Sequence, residues 1–194
     1  MSVNLAGDRG MRHDPASARP PEVIGLRRLR LRRPRVADAS AIFEYASDPE
    51  VGRYADWPIS TSIDSVIAHL HERERQWTSG AEFNWVMTVP PEDRAIGGIS
   101  CFVSGHAAEF GFLMNRKFWR NGYATDAARA VVEWVFSVSS VWRLAATCDV
   151  ENLASARVLE KAGLTREGTL RRAIVRPNIS DRPRDAFLYS KVRE

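Results

Sequence analysis

Residues 110–136, FGFLMNRKFWRNGYATDAARAVVEWVF, constrain this chain more than any other stretch. An apolar run (Phe110, Phe112, Leu113, Met114) leads into a polar loop over residues 115–121. Beyond Gly122, apolar residues fall at Ala124, Ala127, Ala128, Val131, Val132, Val135 and Phe136, the stripe of an amphipathic helix. A strand, a small-residue turn and a helix start leave several backbone N–H groups unpaired at the positive end of the helix dipole. Such a junction holds an anion, most naturally a phosphate or diphosphate.

Two familiar phosphate loops are excluded. The loop has one glycine, Gly122, so it is not GxGxxG, and no lysine stands beside a hydroxyl residue as a nucleotide-triphosphate loop requires. The segment Trp119-Arg120-Asn121-Gly122-Tyr123-Ala124-Thr125 resembles instead the acyl-CoA loop of the GNAT N-acetyltransferases, loosely Arg/Gln-x-x-Gly-x-Gly/Ala. Residues 152–164, NLASARVLEKAGL, resemble the second signature of that family, Asn-x-x-Ser-x-x-x-x-x-Lys-x-Gly-Phe, with Leu164 in the final position. Trp119 in place of the usual Arg or Gln is typical of the RimJ/RimL-like branch, which includes ribosomal-protein N-terminal acetyltransferases. The resemblance runs from Leu29 to Tyr189 and rests on both motifs in order.

The chain has 194 residues, enough for one domain with a sizeable core. Hydrophobic content of 44% and charged content of 27% are those of a globular protein. No apolar run approaches the roughly 20 residues of a membrane helix, and residues 1–22 lack the apolar centre of a secretion signal, so a cytoplasmic protein without membrane association is expected. Residues 1–22 read as a disordered leader and 23–194 as a single domain; Met1 and Met11 both stand as candidate starts. Cys101 and Cys148 lie in apolar runs and read as buried reduced thiols. His13, His69, His71 and His106 do not cluster with other ligand types, so no metal is expected.

The net charge of +4 is unevenly placed, with Arg27, Arg28, Arg30, Arg32, Arg33 and Arg35 in one short segment. The segment reads either as a ribosome or nucleic-acid contact, or as a first strand whose outward arginines alternate with Leu29 and Leu31. The second reading is preferred and a nucleic-acid partner is not expected, because no aromatics interleave. The sequence leaves monomer and homodimer open.

Periodicity and turn residues predict a strand over 26–33, a helix over 37–46, a short turn near 50–54 and a longer helix over 62–79 stopped by Gly80. Strands follow over 83–89, 95–103 and 109–114, with Gly97-Gly98 marking a bulge or a close backbone approach. After the long helix come a strand over 143–149, a helix over 152–162 with Gly163 as its left-handed stop, and strands over 164–175 and 184–192. This is an α/β fold. The resemblance implies a mixed, mostly antiparallel central sheet of about seven strands, with helices on both faces and two splayed central strands.

The resemblance also implies the chemistry: transfer of an acetyl group from acetyl-CoA to a primary amine, directly, in a ternary complex. The amides of Arg120, Asn121, Gly122, Tyr123, Ala124 and Thr125 would hold the diphosphate, and amides near Leu113 would polarise the thioester carbonyl. Asn152 would fix the pantetheine arm while also capping its helix. Ser155 would donate to the departing sulfur, with Tyr189 as a second candidate acid. Glu109, at the head of the central strand, is the candidate base that receives the amine proton. The favoured acceptor is a protein or peptide α-amino group. A small-molecule amine (antibiotic, polyamine or amino acid) and a non-catalytic CoA-binding module are the alternatives. Tyr54, Trp57, His69, Trp85 and the loop over 176–184 are candidate walls of the acceptor site.

Overall fold

The computed structural model describes residues 19–194. The leader reading falls largely outside these residues, as do both candidate starts. Where the leader was expected to run to residue 22, residues 19–22 instead lie against the fold: Arg19 Nη2 donates to Thr78 O at 2.6 Å and Trp85 Nε1 to Pro21 O at 3.1 Å.

Strands β1 (Val23–Gly25) and β2 (Arg30–Arg32) open the sheet. The sequence reads a first strand over 26–33 and none before it, but residues 26–29 form a turn closed by Leu26 N–H to Leu29 O at 2.8 Å, and β1 precedes it. A 3-10 turn (Val36–Asp38) leads to α1 (Ala39–Ala46) and the short α2 (Pro49–Gly52). Helix α3 (Ile63–Ser79) is capped by Ser62, whose side chain accepts from Ser65 N–H, and ends at Gly80 with φ +76°. Then come β3 (Phe83–Thr88), β4 (Gly97–Ser104), β5 (Ala107–Met114) and α4 (Tyr123–Ser137). The chain finishes with β6 (Arg143–Asp149), α5 (Leu153–Lys161), β7 (Thr165–Arg176) and β8 (Ser180–Val192).

The sheet has eight strands in the order β1-β2-β3-β4-β5-β6-β8-β7. Every neighbouring pair is antiparallel except β5 and β6. Register and burial divide its two faces. Leu31, Phe83, Trp85, Met87, Ile99, Cys101, Ala108, Phe110 and Met114 point to the face covered by α4, where one hydrophobic core runs from Leu29 to Tyr189. There Trp77 meets Trp85 edge-on at 5.3 Å and Trp85 meets Trp134 at 5.6 Å, each contact contributing about 0.5–1.5 kcal/mol beyond burial. The opposite face, with Asn84, Val86 and Gly98, lies under α1 and α3: Ala41 and Ala95 pack on Val86, and Arg73 bonds Asn84.

Gly97 marks a close approach rather than a bulge. A Cβ there would stand 2.7 Å from Leu113 O, and the β4–β5 register runs unbroken from Gly97↔Met114 to Ser104↔Ala107. Cys101 and Cys148 are free, buried thiols, and burial raises the pKa of both.

Candidate active site

The site begins with a defect in the sheet. β5 and β6 pair only at Ala107↔Arg143, Ala108↔Leu144 and Glu109↔Ala145. β4 accompanies β5 on to Met114 and β8 accompanies β6 on to Asp149. From Phe110 and Ala146 onward the two central strands therefore share no ladder, and a wedge opens between them. Peptide groups along its inner edges lack the strand partner that a continuous sheet would supply.

Directly after β5 the chain makes a turn held by its own side chains. Asn115 Oδ1 accepts from Lys117 N–H at 3.0 Å, Trp119 Nε1 donates to Met114 O at 2.8 Å, and Asn121 Nδ2 donates to Phe118 O and Trp119 O at 3.2 and 3.1 Å. Glu44 of α1 steadies the turn from below, accepting from Lys117 Nζ at 2.7 Å and from Arg94 Nη2 at 2.5 Å. Those two bonds, Lys117 foremost, pull the Glu44 pKa down to about 2. Arg120 (φ +63°) and Gly122 (φ +83°) both take left-handed backbone, which turns the chain into α4.

Among the described residues, the consecutive N–H groups of Arg120, Asn121, Gly122, Tyr123, Ala124 and Thr125 donate to nothing; the first bond of α4 is Asp126 N–H to Gly122 O at 3.0 Å. Six free amides in one turn at a helix start, with little side chain at Gly122 and Ala124, fit a diphosphate. One further cation stands there: Arg28, from the turn between β1 and β2, bonds Asp126 at 2.8 Å. Sequence spacing offers no sign of that approach, because the two residues lie 98 positions apart.

Across the wedge, α5 begins at Asn152, whose Oδ1 accepts from Ser155 N–H at 3.1 Å. Among the described residues, Asn152 Nδ2 and the Ser155 hydroxyl have no hydrogen-bond partner. Glu109 is the last residue of β5 paired to β6, at the foot of the wedge, on the face away from the α4 core together with Gly111 and Leu113. It is half-buried, and that burial raises its pKa.

Tyr189 stands on β8 opposite Ala146, one strand from the wedge. Its ring is 1% exposed in the core, and its hydroxyl donates at 2.9 Å to Glu160, in the second half of α5. Burial first, and then this bond, push the phenol up to about 12. Glu109 thus stands at the foot of the wedge, Leu113 and the amide turn follow along and after β5, α5 with Asn152 and Ser155 follows the far end of β6, and Tyr189 is tied to that helix.

The expected acceptor walls fall largely on the loop over 53–62 and the β7–β8 hairpin. Asn178 at the hairpin tip donates to Gly52 O at 2.8 Å and Trp57 O at 2.9 Å. Behind it, fully buried Asp149 binds Arg184 Nε at 2.6 Å, and Arg176 is buried with no hydrogen-bond partner for its Nε. Trp57 is 43% exposed on this rim, and Arg53 lies 5.5 Å over the Tyr54 ring. His69 accepts from Arg73 Nε at 2.9 Å. Trp85 is not a wall of the site: it is 1% exposed within the core, because its strand position faces α4.

The arginine-rich segment is largely neutralised internally. Arg33 pairs with Glu22 and Glu74, and Arg35 with Asp93. Arg32, read from alternation as outward, is 3% exposed and donates to both Asp38 oxygens at 2.7 and 2.8 Å, because the 3-10 turn folds back over that face of β2.

The profile of the acetyltransferase (GNAT) domain matches residues 28–165. The chain belongs to the GNAT acetyltransferase family. Among GNAT relatives, it is 31% identical over 157 residues to the uncharacterized N-acetyltransferase YnaD of Bacillus subtilis (strain 168), covering 80% of this chain and 89% of that one. The GNAT fold recurs in RimL, a ribosomal L7/L12 alpha-N-protein acetyltransferase solved with coenzyme A (TM-score 0.78, 18% identity, 88% of this chain and 98% of that one). It recurs again in the Microcin C7 self immunity acetyltransferase MccE, solved with acetyl-CoA and AMP (TM-score 0.79, 18% identity, 91% and 99%). This GNAT protein is an acetyl-CoA-dependent N-acetyltransferase. Among the described residues no group of three or more His, Cys, Asp or Glu is placed to hold a metal ion, and no helix is long and apolar enough to cross a membrane.

Proposed function

We propose that the enzyme transfers the acetyl group directly to the α-amino group of a protein or peptide, within a ternary complex. The observation that carries the site assignment is the run of free amides from Arg120 to Thr125 beside a wedge with Glu109 at its foot. Acetyl-CoA supplies the activated acyl group. The amides of Arg120, Asn121, Gly122, Tyr123, Ala124 and Thr125 bind its diphosphate, and Asn152 Nδ2 holds the pantetheine arm. The Leu113 amide donates to the carbonyl oxygen as negative charge develops there. Glu109 receives the proton that the amine nitrogen loses as the C–N bond forms. Ser155 donates a hydrogen bond to sulfur as the C–S bond breaks.

The acceptor reading rests on acid–base matching. An α-amino group has a pKa of about 8, so a measurable fraction is neutral near pH 7 and attacks with Glu109 taking up the proton as the bond forms. A lysine-like amine, near 10.4, would require stronger deprotonation. Fold alone does not choose, since RimL and MccE share it.

The test is acetyl-CoA-dependent release of CoA thiol against peptides of varied N-termini, polyamines, free amino acids and aminoglycosides. Turnover with peptides, slowed in Ser155→Ala and lost in Gly122→Glu, is the expected result. Turnover confined to a small amine would move the acceptor class. CoA binding without turnover of any amine would favour a non-catalytic module.

A further inference from the structure

The arrangement around Gly122 includes a residue that neither motif contains. Arg28 projects from the turn between β1 and β2 onto the start of α4. Its Nε is engaged by Asp126 Oδ2 at 2.8 Å, its Cζ lies 5.3 Å from the Tyr123 ring centroid, and its Nη2 would stand 2.7 Å from a Cβ built on Gly122. Among the described residues, Nη1 and Nη2 have no hydrogen-bond partner. The guanidinium is thus held by one edge, laid on an aromatic face, and presents its two NH2 groups beside a turn whose amides are also free.

A structural explanation for this geometry is weak. The Arg28 and Asp126 side chains are 50% and 26% exposed, and an exposed ion pair of this kind adds little to stability. A planar fork of N–H donors is, however, the group best matched to phosphate oxygens. Trp119 occupies the motif position where related loops carry Arg or Gln, so no cation stands at that position, and the loop's Arg116 and Lys117 pair with Asp48 and Glu44.

We infer that Arg28 is a ligand of the acetyl-CoA diphosphate, delivered through space from the β1–β2 turn and oriented by Asp126 and Tyr123. Asp126 holds only Nε, so the fork turns its remaining donors to the anion without surrendering that pair. Gly122 serves twice: it adopts the left-handed turn, and its missing side chain leaves room for Arg28. The inference rests on the reading of the 120–125 turn as a diphosphate site, and its test separates the two.

The experiment is titration calorimetry of the full chain with CoA, 3′-dephospho-CoA and pantetheine. Arg28→Gln is expected to weaken CoA and 3′-dephospho-CoA about tenfold each relative to pantetheine, which has no phosphate. Arg28→Glu is expected to weaken them about a hundredfold. Losing pantetheine affinity by the same factor would overturn the inference in favour of a merely structural role. A loss for CoA but not for 3′-dephospho-CoA would overturn it by moving Arg28 to the 3′-phosphate, and a change under twofold for both would also overturn it. Unaltered CoA affinity in Gly122→Glu would instead overturn the reading of the turn itself, whatever Arg28 does.

Discussion

Asn178 and Ile59, 119 positions apart, are joined by a hydrogen bond from the Ile59 N–H to Asn178 Oδ1 at 3.2 Å. With the two bonds that Asn178 Nδ2 makes to Gly52 O and Trp57 O, one carboxamide fastens the tip of the last hairpin to the loop between α2 and α3. Asn178→Ala is expected to cost about 1–3 kcal/mol of stability, at about 1 kcal/mol net per bond. It is also expected to raise the KM of the amine several-fold more than that of acetyl-CoA. Denaturant unfolding and steady-state kinetics check both, and an equal rise in the two KM values would count against an acceptor-side role.

Glu109 sets the expected pH dependence. Burial raises its pKa, so its charged, proton-accepting form is lost at a higher pH than for an ordinary glutamate. The rate should therefore climb with pH through that raised value. In Glu109→Gln the climb through that value should vanish while the amine's own limb at about pH 8 remains, and kcat should fall about 10²–10⁴-fold, the usual worth of a general base. A profile of unchanged shape in the glutamine variant would assign the whole climb to the amine.

Tyr189 and Ser155 are expected to behave differently. Tyr189→Phe removes one bond to Glu160 and should lower stability by about 0.5–1.5 kcal/mol, with a smaller effect on kcat than Ser155→Ala. Thermal melts beside single-turnover rates decide the matter; a larger rate loss for Tyr189→Phe would make it, rather than Ser155, the acid.

Arg32 and Asp38 form a buried pair, 3% and 6% exposed. Asp38→Ala leaves the guanidinium with Asp93, at 2.6 Å, as its remaining carboxylate partner and should cost about 1.5–3 kcal/mol. Arg32→Met with Asp38→Leu should recover much of that loss in denaturant unfolding, since neither charge is then stranded.

The elements were legible where a local rule determined them. Ser62 and Gly80 bound α3 and Gly163 stops α5 because caps and left-handed glycines act over a few residues. The free amides of the 120–125 turn follow from the same local logic. What escaped depended on pairs distant in sequence. The inward turn of Arg32 requires Asp38 to fold over it, and Asn178 carries no periodic or motif signal. The turn at residues 26–29, between β1 and β2, carries no Gly-Asn or Pro-Gly mark, so alternation took it for the start of the first strand. That turn is also what places Arg28 at α4.

The wedge has a mechanical meaning as well. With only three rungs between β5 and β6, the sheet is a raft of five strands and a raft of three, moored together at one end. The core beneath α4 is continuous across the seam even though the ladder is not. A molecule lying in the gap touches both rafts, so filling it would stabilise the whole by mass action; grip on the donor and rigidity of the scaffold would then rise and fall together.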